Sequence, residues 1–169
     1  MEREAAGLLV LALCWRGLIR ARTEVAEATA RAATPAVFTI GVLLMLSLSL
    51  GYVHWAPKWT MQFWLWATAN LLSTCMSEEA FFRGFIQAEL SKLLARMKLG
   101  PTVAILCSGL LFGLAHLAGG WTYVGVAAVA GVGYAFVFQR TRRVEMSMLT
   151  HFSLNAIHFL LFTYPYAST

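Results

Sequence analysis

Between Leu99 and Gln139 the chain runs for 41 residues without an Asp, Glu, Lys or Arg. Three further stretches have the same character: 26 residues from Ala32 to Pro57, 19 from Trp59 to Ser77 and 24 from Met146 to Thr169. A bilayer's hydrocarbon core of about 30 Å needs roughly 20 apolar residues per helix. The longest stretch is therefore enough for two crossings and the others for one each. A weaker sixth span is expected from about Ala5 to Ile19, with Arg16 near its end where it can snorkel. Only 12% of the residues are charged and 59% are hydrophobic. Soluble domains carry roughly 25% charge, so an ordinary soluble enzyme is excluded. An open sheet cannot satisfy its backbone in lipid, and the period-2 alternation of a β-barrel is absent. The expected fold is all-α, a single polytopic integral membrane bundle of about six transmembrane helices over residues 1–169.

The net charge of +5 sorts by loop and is not a nucleic-acid footprint. Arg16, Arg20, Arg22 and Arg31 lie between spans one and two, Lys92, Arg96 and Lys98 between three and four, and Arg140, Arg142 and Arg143 between five and six. The opposite side has Arg3 and Lys58, so setting Arg83 aside the balance is ten against two and places the basic loops in the cytoplasm. Residues 1–70 then hold two N-terminal spans and a basic cytoplasmic linker, of which Arg20 to Arg31 is expected to be helical. Cys14, Cys75 and Cys107 show no pairing pattern and are expected as small buried thiols.

In hydrocarbon the informative residues are the polar ones. Glu78 and Glu79 follow nineteen uncharged residues with no turn between, and Phe81, Phe82, Phe85 and Ile86 carry the apolar pattern past them. Arg83 is four residues beyond Glu79 and shares its helix face, whereas Glu78 is rotated by about 100°. Glu79 and Arg83 are thus expected to pair, leaving Glu78 for other work. His116 lies deep in the longest uncharged run, and His151 and Asn155 share a face of the last span. One hydrated cavity would satisfy polar groups on three separate helices at once. His158 could line the same face, though an outer packing role suits it better; His54, beside Trp55, reads as an interfacial residue.

The three motifs, Glu78-Glu79-x-x-x-Arg83, Phe112-x-x-x-His116 and His151-x-x-x-Asn155, occur in order on separate helices. Together they resemble the CPBP intramembrane proteases, a family that groups type II CAAX prenyl endopeptidases with bacteriocin-processing and self-immunity proteins. The resemblance covers about Leu72 to Phe159 and marks residues 71–164 as the catalytic core. It implies a glutamate-dependent intramembrane endopeptidase without a cofactor. Glu78 would activate water, His116 would hold and orient it, and His151 with Asn155 would stabilise the oxyanion. Glu79, Arg83 and Phe112 would support them. The implied partners are the lipid bilayer and a membrane-anchored protein or peptide, with no nucleic acid. The implied location is a bacterial cytoplasmic membrane, and compact members resemble sorting-type (myxosortase-like) proteases.

The residues themselves suffice for that chemistry. Peptide hydrolysis needs a base for water, donors for the tetrahedral oxyanion and an acid for the leaving amine. A carboxylate can take and return the proton, and imidazole and carboxamide N–H groups can hold the oxyanion. There is no aspartate anywhere, which excludes Ser-His-Asp triads, and no His-Glu dipeptide to build a zincin helix. Ser108 lacks a Gly-x-Ser-Gly context, and Cys75 has no activating partner in sequence. A metal held by Glu78, His116 and His151, a non-catalytic immunity or partner protein, and a haem or proton-transfer bundle using His116 and His151 remain alternatives. Depth is in tension with the motif reading. From the Gly100-Pro101 turn, Glu78 is about 22 residues up one helix and His116 about 16 up the next, a difference of about 9 Å. Straight parallel helices would not bring these groups together, so bends or close packing are expected at Gly84, Gly119-Gly120, Gly131 or Gly133.

Overall fold

The computed structural model describes residues 21–164. The expected first span, Ala5 to Ile19, and Cys14 lie outside those residues. Five helical rods follow one another. They are α1 (Arg22–Ser49), α2 (residues 63–93), α3 (Gly100–Leu114), α4 (Trp121–Thr141) and α5 (Val144–Leu161). Among the described residues the only β pairing is an isolated bridge between Trp55 and Phe162. The all-helical expectation holds.

Large apolar side chains face outward along the rods, including Phe38 and Met45 on α1, Leu65 on α2, Leu110 on α3, Phe136 on α4 and Leu149 on α5. Such a surface suits a hydrocarbon solvent. Two helices, α1 and α4, are individually long and apolar enough to cross a membrane. The others differ from the expected uniform spans for identifiable reasons. With 15 residues α3 is about 22 Å long, and α2 carries Glu78, Glu79 and Arg83 in mid-course. Within the uncharged stretch Ala32 to Pro57, which supplies one span, the helix α1 stops at Ser49, and Gly51 turns the chain with φ of 65°. The basic segment from residue 22 onward is helical and continuous with α1. The division expected at residue 70/71 falls inside α2, which begins at Phe63.

The core is built on α4, which packs against α3, α1 and α5. Alanines set the spacing between α1 and α4. Ala28 and Ala32 are buried with Val137 and Met146, and the missing side-chain bulk lets the rods approach closely. Between α3 and α4 a Cβ on Gly131 would come within 2.8 Å of the Gly109 carbonyl oxygen, so the crossing there requires glycine. The expected break in the longest apolar run falls at residues 115–120, where Gly120 adopts φ of 86° before α4 starts.

The depth tension is resolved chiefly at the turn of residues 94–99, which is not helix, so that Glu78 is 15 residues from the end of its helix at Leu93 and His116 is 16 from the start of the next at Gly100; α2 itself adds a smaller contribution. It is a continuous rod in which two π-helical stretches, Asn70–Cys75 and Ala80–Gln87, bracket the α-helical Met76–Glu79. The wider i→i+5 turns take up more residues per unit length and reset the direction in which side chains point. That brings Glu78 and Glu79 nearer the level of the histidines. Gln87 anchors the second stretch by donating from Nε2 to the Ala135 carbonyl at 2.9 Å.

Candidate active site

Three rows of side chains at a spacing of four residues meet inside the bundle. From α2 come Glu79, Arg83 and Gln87, from α3 and its end Ser108, Phe112 and His116, and from α5 Ser147, His151 and Asn155. Residues four apart lie on one helix face, so each row presents a polar stripe to the other two.

Glu79 and Arg83 form the expected pair, with Arg83 Nε 2.9 Å from Glu79 Oε2 and both side chains completely buried. Glu79 also accepts from Ser147 Oγ at 2.6 Å and contacts His151 Nδ1 at 3.0 Å. A carboxylate can only accept, so that contact requires a proton on Nδ1 and leaves the Nε2 side of the ring for the cavity. Arg83 also donates from Nη1 to Ser108 Oγ at 3.0 Å, and the Ser108 hydroxyl in turn donates a hydrogen bond to the Phe82 carbonyl. A buried charge pair is tolerable only when further interactions support it; the two serines supply hydrogen bonds to both partners, while Arg83 Nη2 has no hydrogen-bond partner among the described residues.

Glu78, expected to be free of that pair, stands apart from it. Its carboxylate Oε2 lies 3.9 Å from His116 Nε2, with the two side chains 14% and 19% exposed. His116 Nδ1 is 2.7 Å from the Phe112 carbonyl, which fixes the proton on Nδ1 and turns Nε2 toward Glu78. Phe112 sits between the histidines, its ring centroid 4.7 Å from that of His116 and 5.8 Å from that of His151. The Arg83 guanidinium lies 5.0 Å from the same ring. Tyr134 stacks on His151 at 4.6 Å and meets Phe112 edge-on at 5.9 Å.

Glu78, His116, His151 and Asn155 all line one cavity of about 340 Å³. His158 lines it too, although its Nε2 is bound to the Thr163 carbonyl at 2.9 Å. His54 lies outside it and pairs through its backbone with Thr163, in keeping with an interfacial position. Cys75 is fully buried beneath the cavity, and Cys107 is only partly buried.

Several contributors were not singled out in the sequence. Asn70 lines the cavity and accepts from Asn155 Nδ2 at 3.2 Å, while Cys75 Sγ lies 3.8 Å from the same nitrogen. The Asn155 amide is thus held from below by α2. Ser147 and Gln87 extend the polar rows by one step of four, which is the signal that could have found them. Tyr52 and Tyr123 stack at 6.0 Å at the rim, and Leu43 and Ser47 of α1 form one wall, so the segment before residue 71 shapes the site.

Among the described residues no group of three His, Cys or Glu side chains is placed to hold a metal ion, and His151 Nδ1 is already engaged by Glu79. The arrangement instead offers a carboxylate and an imidazole nitrogen facing each other across the cavity, with a second imidazole and an amide opposite.

Searches of curated proteins and of solved structures found no match. A model of the family described as type II CAAX prenyl endopeptidase Rce1-like matches residues 60–157, more than half of the chain and a span that contains Glu78, Glu79, Arg83, Phe112, His116, His151 and Asn155. The chain therefore belongs to the type II CAAX prenyl endopeptidase Rce1-like family, membrane-embedded proteases of the CAAX type.

Proposed function

We propose that the chain is a multi-pass intramembrane endopeptidase that hydrolyses a peptide bond in a membrane-anchored protein with Glu78 as the base. The observation that carries this reading is the facing of Glu78 and His116 across 3.9 Å in a cavity bounded by His151 and Asn155. With its proton on Nδ1, neutral His116 presents an Nε2 lone pair, and Glu78 presents carboxylate oxygens. A water molecule donating one hydrogen to each would have its own lone pair aimed at a substrate carbonyl. Glu78 takes the proton as the oxygen attacks. The negative charge that develops on the carbonyl oxygen is met by the Asn155 amide N–H and, when His151 carries a second proton on Nε2, by that Nε2–H, while Nδ1–H stays on Glu79. Glu78 then returns the proton to the leaving nitrogen, the C–N bond breaks, and a carboxylate and an amine separate.

Glu79, Arg83, Ser108 and Ser147 take no part in bond breaking. Their network fixes the His151 ring and holds α2, α3 and α5 in register around the cavity. Tyr134 stacks on the ring and Phe112 meets it edge-on, so the two hold it from adjacent directions. No metal enters this scheme, and chelators are expected to leave turnover unchanged. The basic ends of α2, α4 and α1 suit a cytoplasmic face, and a bacterial cytoplasmic membrane is the setting we infer. Sorting-type processing of a C-terminal anchor is the substrate class that a compact member suits best.

The test is comparative. In cells whose own copy is replaced by Glu78→Gln, or separately by His116→Ala, one membrane-anchored protein should accumulate uncut, with its new terminus absent. Normal processing in both strains would eliminate the catalytic reading and favour a non-catalytic immunity or partner protein.

A further inference from the structure

The two ends of the bundle are chemically unlike, and the cavity belongs to one of them. At one end lie the start of α1, residues 94–99 and the turn after α4, with Lys92, Arg96, Lys98, Arg140, Arg142 and Arg143. Arg143 ties this end together through Glu24 of α1 at 2.9 Å. At the other end lie residues 50–62, 115–120 and 162–164, where Lys58 is the only Lys or Arg. Its Nζ is taken up by the Phe162 carbonyl. Five tryptophans gather at this second end, and four of them, Trp55, Trp59, Trp64 and Trp121, are 64–74% exposed. Exposed tryptophans mark the membrane–water interface, and the basic end marks the cytoplasm.

Most of the cavity's lining comes from the halves of the helices nearest the tryptophan end, and only Tyr134 and His151 reach past the midpoints of α4 and α5. The lining includes Ser47 at the end of α1, Asn70 and Glu78 in the first half of α2, Tyr123 at the start of α4 and His158 at the end of α5. Tyr52 and Tyr164, from the loops of that end, complete the rim. Between the cavity and the basic end the interior is filled by packed side chains, among them Val137, Val144, Met146 and Gln87, and a second pocket, lined by Pro35, Phe38, Val132 and Arg140, is a separate apolar groove on the flank of α1, α3 and α4.

We propose that the site is entered from the non-cytoplasmic side, at the level of the tryptophans, and that its substrate is a membrane-anchored protein whose scissile bond lies at that outer interface. This rests on the protease reading above. It separates the chain from substrates that present a prenylated cysteine at the cytoplasmic face, because such a tail would meet the closed, basic end. Among the described residues Glu78 is the only carboxylate lining the cavity and no Lys or Arg lines it, so the segment it accepts carries uncharged residues around the cut.

The test uses single cysteines added to the full chain, at Trp121→Cys beside the rim and Lys98→Cys at the basic end, both exposed positions. In bacterial spheroplasts, a membrane-impermeant maleimide should label Trp121→Cys above the parent chain, and Lys98→Cys only after lysis. The reverse pattern, or equal labelling of both before lysis, overturns the proposal. The labelling does not depend on catalysis, so an inert Glu78→Gln phenotype would count against the protease reading and leave the side of entry standing. A reporter with the accumulated protein's junction outside should be cut by the parent chain; cutting of the same junction placed in the cytoplasm overturns the assignment.

Discussion

Adjacent glutamates with opposite duties should separate stability from activity. Glu79 is completely buried and accepts from Arg83 Nε, Ser147 Oγ and His151 Nδ1 at 2.9, 2.6 and 3.0 Å. Glu79→Gln keeps the shape but removes the charge that compensates Arg83. It also sets an N–H₂ donor against groups that are themselves donors. Removing one member of a buried pair costs about 3–5 kcal/mol, because the remaining charge is left without compensation. For a chain of this size each kcal/mol lowers the melting temperature by about 2–4 °C, so the variant should melt about 6–20 °C below the parent. Glu78 lies on the cavity wall, where Glu78→Gln is nearly isosteric and should cost about 1 kcal/mol or less. Its loss as a general base should lower turnover by about 10²–10⁴-fold. Tryptophan-fluorescence melting of both variants in detergent, beside cleavage assays on the folded fraction, reads the two effects separately. If Glu79→Gln melts within 2–3 °C of the parent, or Glu78→Gln melts as low as Glu79→Gln, the division of labour argued from the geometry is wrong.

Three other outcomes follow from single contacts. Ser108→Ala removes the partner of Arg83 Nη1 and the donor to the Phe82 carbonyl, and should cost about 1–3 kcal/mol in denaturant melts while turnover of the folded fraction changes little. Asn155→Ala should lower kcat by about 10²–10³-fold if its amide holds the oxyanion, whereas an unchanged kcat would remove it from that role. Gly131→Ala would press a methyl group onto the Gly109 carbonyl and, at 2.9 Å, onto Phe112 Cβ, so it should destabilise by about 1–3 kcal/mol and disturb both histidines, visible as reduced turnover.

The polar rows explain how much of the site could be read before its geometry was known. Glu79, Arg83, His116, His151 and Asn155 each interrupt an apolar run, and residue spacing alone put Glu79 with Arg83 and turned Glu78 away. Ser108 and Ser147 gave no such signal, because a hydroxyl in a membrane helix can satisfy itself on the carbonyl four residues back, as Thr141 and Thr150 do here. Only their places at multiples of four from His116 and His151 distinguished them. Asn70 was hidden by its chain environment, since its partner is on another helix, 85 residues away. The glycine pair at 119–120 marked the break in the longest run. The π-helical stretches of α2 had no sequence mark, because their residues continue the same apolar pattern. The larger part of the depth misfit came from residues 94–99, which straight-helix arithmetic counts as helix and which form the turn.

The account stands on direct attack by water, without a covalent intermediate on the protein. With the protein that accumulates under Glu78→Gln in hand, the purified chain can cleave it in the presence of hydroxylamine, and the new terminus can be weighed by mass spectrometry. Water activated by Glu78 yields a free carboxylate alone, at a rate that collapses in the Glu78→Gln variant. A hydroxamate at that terminus would reveal an acyl-enzyme and contradict the mechanism, as would parental turnover from Glu78→Gln.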